Sequence, residues 1–168
     1  MRQLFFDASG MGIKMEIRSI YRDEWTEAMG IAWRTFLKFE ACDYSPEGVK
    51  NFYLFVTDEM LHRMFLMGAY EVYGAFDENG KMVGMLGLRN KSHISLLFVE
   101  EAYHRQGIAR SLIKYVFEYL LSEVGSITTV TVNSSPYAVG FYHKMGFQDM
   151  QPEMTKDGIR YTPMSFVI

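Results

Sequence analysis

The sequence predicts an α/β fold of the α+β kind, a single domain whose mixed, mostly antiparallel sheet has about seven strands flanked by helices. Three observations point there. AYEVYGAF and KMVGMLGLR are strand-like runs joined by DENG, whose closing glycine suits a hairpin. HISLLFV (93–99) is followed by helically spaced apolar residues over 107–123 and then by the β-branched run ITTVTV (127–132). A strand–helix–strand crossover of that length makes 93–99 and 127–132 parallel neighbours. Finally, 168 residues that are 49% hydrophobic and 15% aromatic suffice for one packed core.

The remaining elements follow in order. Residues 15–20 alternate as a strand should. Asp23 opens a helical pattern with Trp25, Met29, Ala32, Trp33 and Phe36 on one face. Ser45 as N-cap and Pro46 at the first helical position start a second helix. A third, near 58–66, begins at Thr57 with Asp58 and Glu59 in its first turn. SSPYAVGFYHKMGF reads as Ser135 N-cap, Pro136 at N1 and two helical turns stopped by Gly146. Strands near 147–152 and 159–168 close the chain. Residues 1–14 read as an N-terminal extension, and 15–168 as the domain.

Composition narrows the function. A formal charge of −3 gives no basic nucleic-acid surface. No run of about 18 apolar residues suggests a membrane span. The N-terminus is too short and polar for a secretory signal. The single Cys42 allows no internal disulfide and no cysteine metal cluster. A cytoplasmic protein without a metal is the simplest expectation, and homodimer formation stays open.

The stretch FVEEAYHRQGIARSLIKYVF puts a glycine and an alanine at the mouth of a helix. A helix N-terminus exposes unpaired N–H groups and about half a positive charge. Gly107 and Ala109 keep side-chain bulk low there, and Arg105 and Arg110 add cations, so a phosphate could settle on the helix end. Equally, Gly107 could simply relieve a tight strand-to-helix turn. The hexapeptide alone leaves both open.

His104-Arg105-Gln106-Gly107-Ile108-Ala109 resembles the acyl-CoA-binding motif of the GCN5-related N-acetyltransferase (GNAT) family, Arg/Gln-x-x-Gly-x-Gly/Ala, with His in place of the first Arg or Gln. HISLLFV stands at the family's strand-to-motif spacing, and VNSSPYAVGFYHKMGF is similar to its second signature, Asn followed by a short helix ending Tyr-x-x-x-Gly-Phe. The resemblance implies an acetyl-CoA-dependent N-acyltransferase acting on a primary amine of a small molecule or peptide. It places the pyrophosphate on residues 104–110, the pantetheine arm along Leu97, Phe98 and Val99, and further cofactor contacts at Asn133 and Ser135. It casts Tyr142 as the general acid that protonates the departing sulfur, since a phenol of pKa about 10 keeps its proton at neutral pH. Packing between helix and sheet is the other use of a Tyr there.

The base is read less directly. Where histone-acetylating members carry a catalytic Glu, this sequence has His93, and an imidazole is a competent base near pH 7. Simple alternation puts His93, Ser95, Leu97 and Val99 on one face. A strand-entry histidine is the plain alternative, and Glu40, Asp43 or Glu71 are carboxylates that could substitute. In the family, the helices after the first strand shape the acceptor site. Here they carry Trp33, Phe36, Phe39, Tyr44, Phe52, Tyr53 and Phe55 with Glu40 and Asp43, either an aromatic wall for a cationic amine or ordinary helix core. A non-catalytic acyl-CoA-binding module of the same fold is the competing reading. A nucleotide-binding protein is disfavoured, because no lysine follows Gly107 as in a P-loop and no Gly-x-Gly-x-x-Gly occurs.

Overall fold

The computed structural model describes residues 3–7, 14–125 and 128–168. In chain order the elements are β1 (Leu4–Asp7), β2 (Lys14–Ser19), α1 (Trp25–Phe39), α2 (Pro46–Val56), α3 (Glu59–Leu66), β3 (Tyr70–Phe76), β4 (Met82–Arg89) and β5 (His93–Val99). They continue with α4 (Ile108–Val124), β6 (Thr129–Ser134), α5 (Val139–Met145), β7 (Gln148–Asp149), β8 (Met154–Lys156) and β9 (Ile159–Val167). The sheet runs β1-β2-β3-β4-β5-β6-β9-β7, with β8 paired to β9. Every pairing is antiparallel except β5 with β6, as the crossover requires.

Two strands exceed the expected seven. Residues 4–7, inside the segment read as an extension, pair with residues 14–17 as an edge strand. Residues 154–156 form a hairpin with β9 through Asp157 and Gly158, both at positive φ. Residue 127, expected to open the second parallel strand, lies outside the described residues, and β6 starts at Thr129.

The sheet separates two apolar clusters. One face packs against α4 and α5 through Leu112, Ile113, Val116, Leu120 and Tyr142. The other packs against α1–α3 through Trp25, Ile31, Phe36, Val56 and Leu61. Each aliphatic side chain buried in this way contributes about 1.5–3 kcal/mol. β4 is covered on both faces, so it reads as a continuous apolar run rather than an alternation. His62, which looks like a surface residue in the sequence, is half-buried and stacks on Trp25 at 4.9 Å.

Two helix starts differ from expectation. Asp58, not Thr57, caps α3, its Oδ1 accepting from the Met60 N–H at 2.9 Å. Ser135 does not cap α5, which begins at Val139. The Ser135 carbonyl closes a turn with the Ala138 N–H, and its hydroxyl is engaged elsewhere.

Candidate active site

The parallel strands are joined over a short stretch only. His93 pairs with Thr131 and Ile94 with Val132, and no rung follows. The cause lies one residue on. Ser95 is a bulge against β4, since Leu88 faces Ile94 while Gly87 faces Leu96. A bulge bends its strand and raises the local twist. Here it turns the end of β5 away from β6.

The bulge also breaks the simple alternation. Ile94, Leu97 and Val99 pack on the α4 side, whereas Leu96 and Phe98 pack on the α1 side. Ser95 bonds the Tyr70 hydroxyl at 2.7 Å, on the α1 side. His93 and Ser95 therefore do not share a face with Leu97 and Val99.

A cavity of about 390 Å³ opens where the strands diverge. Leu97, Phe98, Asn133, Ser135, Ala138 and Tyr142 help to line it, as do Glu40, Tyr44, Phe52, Phe55, His93, Arg89 and Ile159. A second depression, bordered by Glu47, Asn51, Asn133, Lys156, Asp157, Ile159 and Tyr161, shares three of its residues and so adjoins it.

Tyr142 is 4% exposed, and among the described residues its hydroxyl has no hydrogen-bond partner. Burial, and then the nearby Glu40 charge, push the phenol far above its ordinary pKa, so it holds its proton. Glu40 ends α1 and accepts from the Ser135 hydroxyl at 2.7 Å. Burial pushes its carboxyl up to about 7, against the Ser135 bond, and Asp43 adds to the rise. His93 donates or accepts through Nδ1 with Thr131 Oγ1 at 2.8 Å. Burial, with Arg89 beside it, lowers its pKa.

The α4 loop leaves the start of its helix uncovered. Gly107 adopts φ +77°, and a β carbon there would meet nothing within 4 Å. Arg105 is also left-handed at φ 61°. The first N–H groups of α4 have no intrahelical acceptor. Arg105 and Arg110 are exposed beside them, and Gln106 and Ala109 are partly so. Ile108 is buried at 2% and anchors the helix start to the sheet. His104 is not free. Its Nε2 bonds the Val99 carbonyl at 2.6 Å and its ring lies 4.9 Å from Phe39, which in turn stacks on Tyr137 at 5.4 Å. Val99 is buried and stays off the cavity wall.

Several expected acceptor residues lie elsewhere. Trp33 and Phe36 stack with Phe52 between α1 and α2 and do not line the cavity, because an amphipathic helix turns its aromatic face to its neighbour. Glu71 accepts from Tyr73 and Tyr119 on the α4 side, away from the site. Arg89 and Ile159 reach the cavity from β4 and β9, and nothing in their local sequence marks them.

The chain belongs to the GNAT acetyltransferase family, whose domain model matches residues 40–168. Its fold is similar to a GCN5-related N-acetyltransferase from Rhodopseudomonas palustris (TM-score 0.75, 24% identity, 90% of this chain and 94% of that one). It is also similar to the PaiA N-acetyltransferase of Thermoplasma acidophilum in complex with coenzyme A (0.70, 18%, 90% and 97%). A third match is the apo form of YjaB from Escherichia coli (0.62, 26%, 91% and 96%). The reaction class that goes with this membership is acyl transfer, as in N-acetyltransferases.

Proposed function

We propose that the protein transfers the acetyl group of acetyl-CoA directly to a primary amine of a small molecule or peptide, both bound at once. The observation that carries this is one cavity beside the splay of β5 and β6, lined together by the Tyr142 phenol, the Glu40 carboxylate and the rings of Tyr44, Phe52 and Phe55. The residues suit the cosubstrate. The pyrophosphate would rest on the open N–H groups of residues 106–110 with Arg105 and Arg110 beside it. The pantetheine arm would lie along Leu97 and Phe98, opposite Asn133. Bound acetyl-CoA supplies the activated acyl group.

Tyr142 holds a proton on the cavity wall and gives it to the departing sulfur. Tyr44, Phe52, Phe55 and Phe98 form the wall against which an organic amine desolvates, and Glu40 supplies the negative charge that draws an ammonium in. His104, tied to Val99 and packed on Phe39, holds the loop in shape rather than the phosphates.

The test is release of free CoA thiol on mixing the protein with acetyl-CoA and a panel of 2-phenylethylamine, spermidine and a lysine peptide with one free amine. Thiol release with an N-acetylated product on at least one amine is expected. Tight CoA binding with no transfer to any of them would instead favour the non-catalytic module.

A further inference from the structure

We propose that Glu40 is the group that takes the proton from the acceptor amine, with Ser135 as the residue that positions it; this rests on the acyltransferase reading above. Glu40 stands where α1 ends, with its backbone outside the helical region at φ −120° and ψ −31°. Its side chain lines the cavity. Oε1 accepts from the Ser135 hydroxyl, itself 7% exposed on the turn after β6. Among the described residues Oε2 has no hydrogen-bond partner, so one oxygen is held and the other is left for the ligand. Tyr142 enters the same cavity from α5, near enough that the Glu40 charge opposes ionisation of the phenol. A proton acceptor and a proton donor thus share one buried space.

His93 is placed differently. It sits on the rung before the last one that joins β5 and β6, inside the paired stretch and before the splay, and its Nδ1 is engaged by Thr131. The Arg89 cation beside it disfavours a second positive charge there. Around Glu40 the charged and titratable groups are Asp43 and Tyr44 on its own segment and Tyr142 on α5, with Arg160 of β9 reaching Asp43 at 3.8 Å. No cation is bonded to Glu40 among the described residues, so an incoming ammonium would be its counter-ion.

The proton count closes. Glu40 takes one proton from the ammonium, and the freed nitrogen lone pair forms the C–N bond to the thioester carbon. The C–S bond breaks with its electron pair on sulfur, which receives the Tyr142 proton. The second proton shed by nitrogen restores the phenol. Amide and free thiol leave, and Glu40 returns its proton to solvent.

The experiment has two arms. One is kcat/KM against pH, with a panel amine that the wild type acetylates, for wild type, Glu40→Gln, Ser135→Ala and His93→Ala. The other is a carbon-13 NMR titration of the side-chain carboxyls in the protein without CoA. The expected result is an acid limb near the value of about 7 that burial gives Glu40. That limb disappears in Glu40→Gln with a loss of about 100-fold or more at pH 8, and it persists in His93→Ala. In the NMR arm a carboxyl titrating in the same range vanishes in Glu40→Gln. Ser135→Ala moves the limb to higher pH, because it deletes the bond that favours the carboxylate; a purely structural serine would change the melting temperature and leave the limb in place. A limb retained in Glu40→Gln, a limb lost in His93→Ala, or a Glu40 carboxyl titrating in the ordinary range would each overturn the assignment while acetyl transfer by the wild type stood. A wild type that transfers to no amine would overturn the acyltransferase reading itself, and this proposal with it.

Discussion

Gly48 and Gly158 meet so closely that a β carbon on Gly48 would stand 2.1 Å from the Gly158 carbonyl oxygen. The contact seats the β8–β9 turn on the first turn of α2. Ser45 donates its N–H to the Gly158 carbonyl at 3.3 Å, and Asn51 Nδ2 donates to the Asp157 carbonyl at 2.9 Å. Ile159, the next residue, lines the cavity. The seam therefore fixes the part of the cavity proposed for the acceptor and not the α4 loop. Gly48→Ala forces the hairpin off α2. It should cost about 1–3 kcal/mol of stability, the usual range for overpacking, and raise KM for the amine while the CoA Kd stays unchanged. Thermal unfolding, the amine KM and calorimetric CoA binding check the three parts.

Gly107 separates a backbone effect from a ligand effect. Its φ of +77° strains any L side chain, yet space outside it is open. Gly107→Ala should cost about 1–2 kcal/mol of stability, the ordinary penalty of a left-handed residue, with little change in CoA affinity. Gly107→Glu carries the same strain and adds a negative charge where the pyrophosphate is expected. It should keep the fold by circular dichroism and weaken CoA binding by about 100-fold or more, the scale of losing a charge-assisted anion site. Equal affinity for both variants would remove the pyrophosphate from this loop.

Tyr142→Phe deletes a hydroxyl that no described residue bonds, so folding loses no hydrogen bond. The melting temperature should stay level, since no hydrogen bond is lost and no buried polar side-chain atom stands unpaired among the described residues. If the hydroxyl is the proton donor, kcat should fall by about 100-fold or more with KM for acetyl-CoA nearly unchanged. A kcat within a few-fold of wild type would leave Tyr142 as packing between α5 and the sheet.

Much of the fold is legible in the sequence because its signals are local. The 107–123 apolar spacing, the DENG turn and the Ser45-Pro46 cap each act within a few residues, and each appears where expected. The crossover rule then orients β5 and β6. What escapes is set by long-range packing. The Ser95 bulge has no glycine of its own strand to announce it and appears only in the register with Gly87 and Leu88 of β4. It reverses the faces inferred for His93 and Leu97 and opens the cleft. Edge strand β1 and the short β8 exist through their partners, not through their own propensity. In the site, Tyr142 and Gly107 stand in recognisable motifs. The Glu40–Ser135 contact joins residues far apart in sequence, and periodicity carries no trace of it. Trp33 and Phe36 show the converse: an aromatic stripe on a helix served the α1–α2 interface, not the cavity.

Glu40 also imposes a pH dependence on stability. Its folded-state pKa, about 7, lies above the ordinary 4.5 of a glutamate in an unfolded chain. A carboxyl raised in this way favours folding fully below the unfolded value, and that contribution fades as pH climbs through the folded one. The loss thus falls between about pH 4.5 and 7, as the buried carboxylate gains its charge. At one pKa unit to about 1.36 kcal/mol, the whole swing is on the order of 3 kcal/mol. Glu40→Gln keeps the shape and a hydrogen-bond acceptor for Ser135 but cannot ionise. The difference in unfolding free energy, variant minus wild type, should therefore grow with pH across this window and level off above pH 8. Urea unfolding at half-unit pH steps measures it directly. A difference that stays flat with pH would mean that solvent reaches the carboxylate, and that the ordinary glutamate pKa survives inside the cleft.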